Sequence, residues 1–131
     1  MPHARSRFGA AGETLAAEYL ERKGYRVLER NVRMPVGELD LICLAPRQPK
    51  FWRRRELVFV EVKARSSSAF GYPEEAVTRA KQQHLIRAAQ AYIAGHREFR
   101  EAPNRIDVIA ITYRGADAPE IVHIPNAVGE I

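Results

Sequence analysis

The chain has 131 residues, 46% of them hydrophobic, and its 21 basic and 16 acidic residues give a formal net charge of +5 at pH 7. This length predicts a single domain, residues 1–131, large enough to bury an apolar core. The single cysteine, Cys43, excludes an internal disulfide and a thiolate metal cluster.

No run approaches the roughly 18 apolar residues of a membrane helix, and no apolar run follows the basic N-terminus as it would in a secretory signal. We therefore expect a cytoplasmic protein with no membrane partner. The basic charge balance is compatible with a nucleic-acid partner, and also with ordinary solubility needs.

The first predicted element is a helix. Apolar residues recur at helical spacing over residues 6–24, and Lys23-Gly24 is typical of a helix end. Glu13 lies early in this helix, where the positive end of the helix dipole stabilises a carboxylate. A short strand is predicted next, over residues 25–31.

Two further strands carry charged residues in apolar surroundings. Residues 37–44 follow a Pro/Gly turn signal, and regular alternation would set Asp40 and Glu38 on the face of Ile42. Residues 57–64 are apolar on both faces at first, which predicts a central strand covered on two sides. One face then turns polar at Glu61 and Lys63.

Pairing these two strands predicts a site. The linker of residues 45–56 is rich in Pro and Arg, which favours an antiparallel hairpin that brings Asp40 beside Glu61 and Lys63. Two carboxylates suit Mg²⁺, which needs only one or two of them and keeps several waters. A nearby lysine can position or deprotonate a water, or offset charge on a phosphate. The structural alternative is a Glu61–Lys63 ion pair at a sheet edge.

The hairpin loop carries a basic cluster that includes Arg53 and Arg54, next to Phe51 and Trp52. Arginines beside aromatic side chains can bind phosphates and stack on bases. The alternative interpretation is a solvated hairpin tip whose Trp52 packs back on the sheet.

A polar loop over residues 65–72 leads into a second predicted helix, from Pro73 to about Ile93, which ends before Gly95. Lys81 and Gln82 of this helix could reach a nucleic-acid phosphate, and Arg65 is also predicted to contact nucleic acid. The alternative is a solvated basic face. The buried side is predicted to include Ala76, Val77, Ala80, His84, Ala88, Ala91 and Tyr92.

The last predicted elements are strands over residues 104–113 and 121–124. Asp107, embedded in the first, is best explained structurally, by pairing with Arg105 on the same face. The predicted order is α-β-β-β-α-β-β, which indicates an α/β or α+β domain with a mixed sheet flanked by helices.

These residues together resemble a known family. Asp40 followed by Glu61-Val62-Lys63 is similar to the PD-(D/E)xK signature of restriction-endonuclease-like nucleases, and Glu13 adds the acidic residue of their Holliday-junction resolvase branch. Over roughly residues 6–124 the chain resembles the small bacterial YraN-like family. The matching stretches are Gly9–Glu13, Gly37–Ile42, Val58–Lys63, Gly71–Lys81 and Arg105–Ile111.

The resemblance implies a restriction-endonuclease-like core and a nuclease that acts on DNA, including branched or structured DNA. In that reading Asp40, Glu61 and Glu13 hold Mg²⁺ or Mn²⁺, Lys63 acts on the water or the phosphate, and Gln82 lies at the edge of the site. One departure is Leu39, which stands where the signature has proline. A homodimer would suit the cutting of two strands. The alternatives are a binding module without catalysis and a scaffold for DNA-processing partners.

Overall fold

The computed structural model describes residues 7–48, 55–66 and 77–128. Within these ranges the elements are α1 (Arg7–Arg22), β1 (Arg26–Met34), β2 (Gly37–Leu44), β3 (Leu57–Arg65), α2 (Arg79–Ala94), β4 (Asn104–Thr112) and β5 (Glu120–Ile124). A short 3₁₀ helix, Arg97–Phe99, precedes β4. The order α-β-β-β-α-β-β and the α+β class that the sequence predicts are confirmed.

The strands of the described residues form one five-stranded mixed sheet in the order β1-β2-β3-β4-β5. The strands β1, β2 and β3 pair antiparallel, β3 pairs parallel with β4, and β4 pairs antiparallel with β5. The predicted β2–β3 hairpin is therefore confirmed. A parallel pair needs a crossover connection, and α2 lies in the segment that joins β3 to β4.

The central strand β3 is buried on both sides, as its apolar pattern predicts. Val58 and Val60 pack with α1 residues such as Leu20 in one apolar cluster. Leu57 and Phe59 pack with α2 residues in a second cluster, on the other side of the sheet. The two helices thus cover opposite faces of the sheet.

The predicted start of the second helix at Pro73 is wrong, although residues 73–76 themselves lie outside the described part. The helix begins at Arg79, because Thr78 caps it: the Thr78 Oγ1 accepts a hydrogen bond from the Lys81 N–H at 3.2 Å. Its buried residues are Leu85, Ala88, Ala89 and Tyr92. Ala88 and Tyr92 were predicted correctly, whereas Ala80, His84 and Ala91 are exposed.

Gly12 lets α1 approach β3 closely. A Cβ added at Gly12 would lie 3.2 Å from the Cβ of Ala64, a side chain too short to move away. The absence of a side chain here allows the second turn of α1 to rest on the last residues of β3. The next residue of that turn is Glu13.

The regular alternation of β2 breaks at Asp40. Leu39 belongs to the apolar cluster on the α2 side together with Ile42, whereas Leu41 belongs to the cluster on the α1 side. In a regular strand Leu39 and Leu41 would share a face. On the neighbouring strand Asn31 has a left-handed φ of 55°, and it lies between residues paired with Leu41 and Leu39. The alternation assumed from the sequence for this strand is therefore wrong at Leu39.

No helix within the described ranges combines the length and the apolar character needed to span a membrane.

Candidate active site

The two acidic residues predicted to form a site, Asp40 and Glu61, lie side by side where the β2–β3 ladder ends. The last residue pair of that ladder is Leu41 with Val60. One step beyond it, the Asp40 Oδ2 accepts a hydrogen bond from the backbone N–H of Val62 at 2.9 Å. The aspartate side chain thus takes over a backbone donor of the central strand, and this bond fixes one of its oxygens.

The carboxyl groups of Asp40 and Glu61 lie within hydrogen-bonding reach of each other. The Glu61 side chain is only 4% exposed. The pKa of Glu61 is raised to about 8. Burial is the largest cause, and the neighbouring Asp40 raises the pKa further through hydrogen bonding and its negative charge. Glu61 therefore carries its negative charge less readily than an ordinary glutamate, and a cation bound beside it would favour the charged form.

Lys81 lies closer to the acidic pair than its predicted role suggests. Its Nζ is 3.2 Å from the Glu61 Oε2, and its side chain is 39% exposed. This positive charge opposes the rise in the pKa of Glu61, but burial and Asp40 outweigh it. The sequence signal for this contact is helical spacing, because Lys81 lies four residues before the buried Leu85 and shares its face.

Lys63 follows Glu61 by two residues on β3, where it pairs in register with Ala110 of β4. Strand alternation puts Lys63 and Glu61 on the same side of the sheet, the side that α2 covers. The edge ion pair considered from the sequence does not describe this strand, because β3 is central and Glu61 is paired with Lys81. Lys63 itself is half-buried.

Glu13 lies on the opposite side of the sheet from α2, in the turn of α1 that Gly12 brings against β3. Its side chain is buried, with 2% exposed. Among the described residues, no group of three His, Cys, Asp or Glu side chains is arranged to hold a metal ion. The role of Glu13 as a third ligand therefore stays a prediction.

The other residues predicted to contact nucleic acid occupy different positions. Gln82 donates from its Nε2 to the carbonyl of Val77 at 3.3 Å, which steadies the segment before α2. Arg65, at the end of β3, donates from its Nε to the Thr112 Oγ1 at 3.4 Å. Arg53, Arg54 and Trp52 lie outside the described residues.

A second buried carboxylate, Asp107, lies in the first half of β4. Its Oδ1 accepts hydrogen bonds from the Arg105 Nε and the Asn126 N–H, and its Oδ2 lies 2.8 Å from the His123 Nε2. We call these four residues the Asp107 network. The predicted pairing with Arg105 is confirmed. Burial raises the pKa of Asp107, but the hydrogen bonds from His123, Arg105 and Asn126 outweigh burial and leave the pKa below its ordinary value.

Fold and site together define an α+β protein in which Asp40 of β2 and the buried Glu61 of the central strand form an acidic pair beside Lys81. A family model described as "Uncharacterised protein family UPF0102" matches residues 12–111. The chain belongs to this family, the YraN-like group, so the family predicted from the sequence is confirmed.

Relatives in this family match nearly the whole chain. A UPF0102 protein of Syntrophotalea carbinolica is 46% identical over 97% of this chain and 95% of its own length. Another, from Beutenbergia cavernae, is 45% identical over 92% of this chain and 95% of its own length. A third, from Caldanaerobacter subterraneus, is 45% identical over 79% and 77%. These names state a family and no activity.

Among solved structures, SfsA of Pyrococcus furiosus in complex with Ca²⁺ aligns with a TM-score of 0.36 and 18% identity. The alignment covers 93% of this chain but 63% of SfsA, so this chain spans less than two thirds of that protein. A likeness of this size supports no statement about the site.

Proposed function

We propose that this protein is a metal-dependent nuclease that hydrolyses phosphodiester bonds in DNA. The observation that carries the proposal is the acidic pair of Asp40 and Glu61 at the end of the β2–β3 ladder. Two neighbouring carboxylates, one of them almost fully buried, are an unfavourable arrangement unless a cation lies beside them. Ionisable groups with strongly shifted pKa values are concentrated at functional sites.

The donor set fits a hard divalent cation. Both groups are oxygen ligands, one oxygen of Asp40 is already fixed by the Val62 N–H, and Glu61 is almost fully buried. Mg²⁺ and Mn²⁺ favour oxygen ligands, and Mg²⁺ keeps several waters beside one or two carboxylates. When bound, such an ion supplies positive charge that stabilises phosphate oxygens and lowers the pKa of a bound water.

The remaining roles in the proposed reaction belong to residues of this chain. Asp40 and Glu61 hold the cation, and the hydrogen bond from Val62 keeps the Asp40 carboxylate from turning away. Lys63, on the same side of β3, holds or deprotonates the attacking water or donates to a phosphate oxygen. Glu13 would add a third carboxylate from α1. Hydrolysis adds this water to phosphorus and breaks one P–O ester bond.

DNA is the proposed substrate because the formal net charge of +5 favours a polyanion, and because the family resemblance points to structured DNA. The proposed phosphate contacts are Lys81 and Gln82 of α2 and Arg65 at the end of β3, and Arg53 and Arg54 would extend the basic surface. A homodimer would present two sites to two strands. We place this activity in the cytoplasm, where bacterial DNA is found.

A cleavage assay tests the proposal. Single-stranded, duplex, flap and four-way-junction DNA are incubated with Mg²⁺, Mn²⁺ or a chelator. The variants are Asp40→Asn and Lys63→Ala, with Glu101→Gln as the control because Glu101 is exposed and lies before the start of β4. We expect metal-dependent cuts by the wild type and the control, and a loss of about a thousandfold or more in both site variants.

Two results would contradict the proposal. Equal cleavage by the wild type and both site variants would assign the activity to a contaminant. No cleavage of any substrate, with DNA bound equally well in chelator, would instead favour the binding module without catalysis. Thermal unfolding of each variant separates lost chemistry from lost folding.

A further inference from the structure

Lys81 holds a positive charge beside Glu61, a carboxylate that the proposed function assigns to a metal ion. The Lys81 Nζ is 3.2 Å from the Glu61 Oε2, and Glu61 is 4% exposed. A buried carboxylate is stable in its charged form only beside a cation or several donors. In the protein without metal, Lys81 meets part of that need.

The backbone beneath Lys81 is fixed, while its ammonium is not. The Lys81 N–H donates to the Thr78 Oγ1, and the Gln82 N–H donates to the Thr78 carbonyl at 2.9 Å. The Gln82 side chain adds a bond to Val77. These contacts hold the first turn of α2, whereas the lysine side chain is flexible and 39% exposed. The ammonium can therefore swing into solvent, but Glu61 cannot follow it.

We propose that Lys81 is a resident counter-cation of Glu61 that a divalent metal ion displaces, and that the displaced ammonium then binds a phosphate of the nucleic acid. This inference rests on the proposed function, because it requires a metal ion at Asp40 and Glu61. It assigns Lys81 a positioning role that couples metal binding to nucleic-acid binding.

Charge fixes the sign of the effect on metal binding. A divalent ion held by Glu61 would be repelled by the positive charge of Lys81, whose Nζ lies 3.2 Å from the same carboxylate. Removing that charge therefore favours binding of the metal ion. Because Lys81 is partly exposed, its ion pair is worth about 1 kcal/mol or less. We expect Lys81→Met to bind Mn²⁺ about threefold to fivefold more tightly than the wild type.

The opposite sign is expected for nucleic acid. With chelator present, Lys81 is engaged by Glu61, so the wild type and Lys81→Met should bind duplex DNA about equally. With metal bound, the free ammonium of the wild type adds a phosphate contact that the variant lacks. Linkage requires this coupling to be reciprocal between metal and DNA. The gain in DNA affinity caused by metal should therefore be about threefold smaller in Lys81→Met.

The experiment titrates Mn²⁺ alone into the wild type, Lys81→Met, Lys81→Arg, Arg79→Met and Asp40→Asn, followed by calorimetry. Arg79 is the matched control, because it is exposed in the same turn of α2 and carries the same charge. We expect tighter binding only for Lys81→Met, affinity within about twofold of the wild type for Lys81→Arg and Arg79→Met, and loss of binding for Asp40→Asn. Thermal unfolding checks that each variant is folded.

Equal or weaker Mn²⁺ binding by Lys81→Met would overturn the inference, and so would an equal gain in Arg79→Met, which would indicate only a change in net charge. In either case the wild type still binds the metal and the proposed nuclease stands. Absence of Mn²⁺ binding in every variant would overturn the inference and the proposed metal site together. The DNA-binding comparison with metal and with chelator uses the same proteins.

Discussion

The molecule buries carboxylates in two places with opposite consequences. In the Asp107 network a fully buried aspartate accepts hydrogen bonds from Arg105 and Asn126 and lies 2.8 Å from the His123 Nε2, and its pKa falls below the ordinary value. In the acidic pair, Glu61 has the carboxyl of Asp40 as its neighbour and one partly exposed lysine, and its pKa rises. Burial is similar, so the partners decide the difference.

The contrast separates a structural role from a functional one. Asp107 has its charge satisfied within the fold and needs nothing further. The acidic pair has two carboxyl groups and one lysine, so an added cation would favour its charged form. Glu61 lies in β3 and Asp107 lies in β4, and these are neighbouring strands of one sheet. The difference therefore lies in local contacts and not in the type of element that carries them.

The largest stability effect is expected from Asp107→Ala. The substitution leaves His123 and Arg105 facing a cavity, and removing one partner of a buried charged group costs about 3–5 kcal/mol. Urea unfolding at about pH 7 measures it, with Asp117→Ala, an exposed aspartate in the loop between β4 and β5, as the control. A loss no larger than that of the control would remove the structural role of the network and the comparison with it.

Acid should abolish most of that difference. Because the folded pKa of Asp107 is depressed, the stability it contributes is present above its ordinary value of 3.8 and is lost as the pH falls through the folded pKa. The free energies of unfolding of the wild type and Asp107→Ala should therefore stay well apart down to about pH 4 and converge only as the pH falls further, through the folded pKa of Asp107. A gap that stays constant with pH would mean that the lost contacts are not ionic.

The sequence predicted both carboxylate centres, but with unequal completeness. The Arg105–Asp107 pairing follows from residues two apart on one strand, and local alternation is enough to find it. Placing Asp40 beside Glu61 required only the antiparallel hairpin, which the turn signals and the apolar runs indicated. The nuclease assignment depends on the family resemblance and remains a proposal.

Contacts between distant elements were harder to predict. His123 reaches Asp107 from β5, and Lys81 reaches Glu61 from α2. Helical spacing puts Lys81 on the buried face of α2, but local spacing does not identify the residue of another element that either side chain contacts. For α2 the error has a clear cause: Pro73 suggested an early start, whereas the cap at Thr78 sets the helix register. That register turns Lys81 and Leu85 toward the sheet and leaves His84 exposed.

The acidic pair should respond to pH with the opposite sign. The folded pKa of Glu61, about 8, lies above the model-compound value of 4.5, so the folded protein retains a proton that the unfolded chain releases. Wild-type stability should therefore decline as the pH rises between these values. Glu61→Gln cannot lose this proton, so we expect it to be more stable than the wild type by about 1–3 kcal/mol above pH 8.

Chemical unfolding at about pH 5 and pH 8.5 tests this, with Glu18→Gln on the exposed face of α1 as the control. The advantage of Glu61→Gln should be small at the lower pH and should narrow at the higher pH when Mg²⁺ is added, because a bound cation stabilises only the wild type. If Glu61→Gln were less stable at both pH values, Glu61 would belong with Asp107 as a structural carboxylate.

The smallest effect is expected at the rim of the Asp107 network. Lys23 Nζ lies 3.2 Å from the His123 Nδ1 and 4.9 Å from the centroid of the Tyr19 ring, but Lys23 is exposed. Water can replace such a contact, so Lys23→Met should cost less than about 1 kcal/mol in unfolding free energy. In a double-mutant cycle with Asp107→Ala the coupling should stay below about 0.5 kcal/mol. A coupling several times larger would show that the exposed Lys23 stabilises the Asp107 network as much as its buried hydrogen bonds do. The Asp107 network and the Lys81–Glu61 pair would then differ only in geometry.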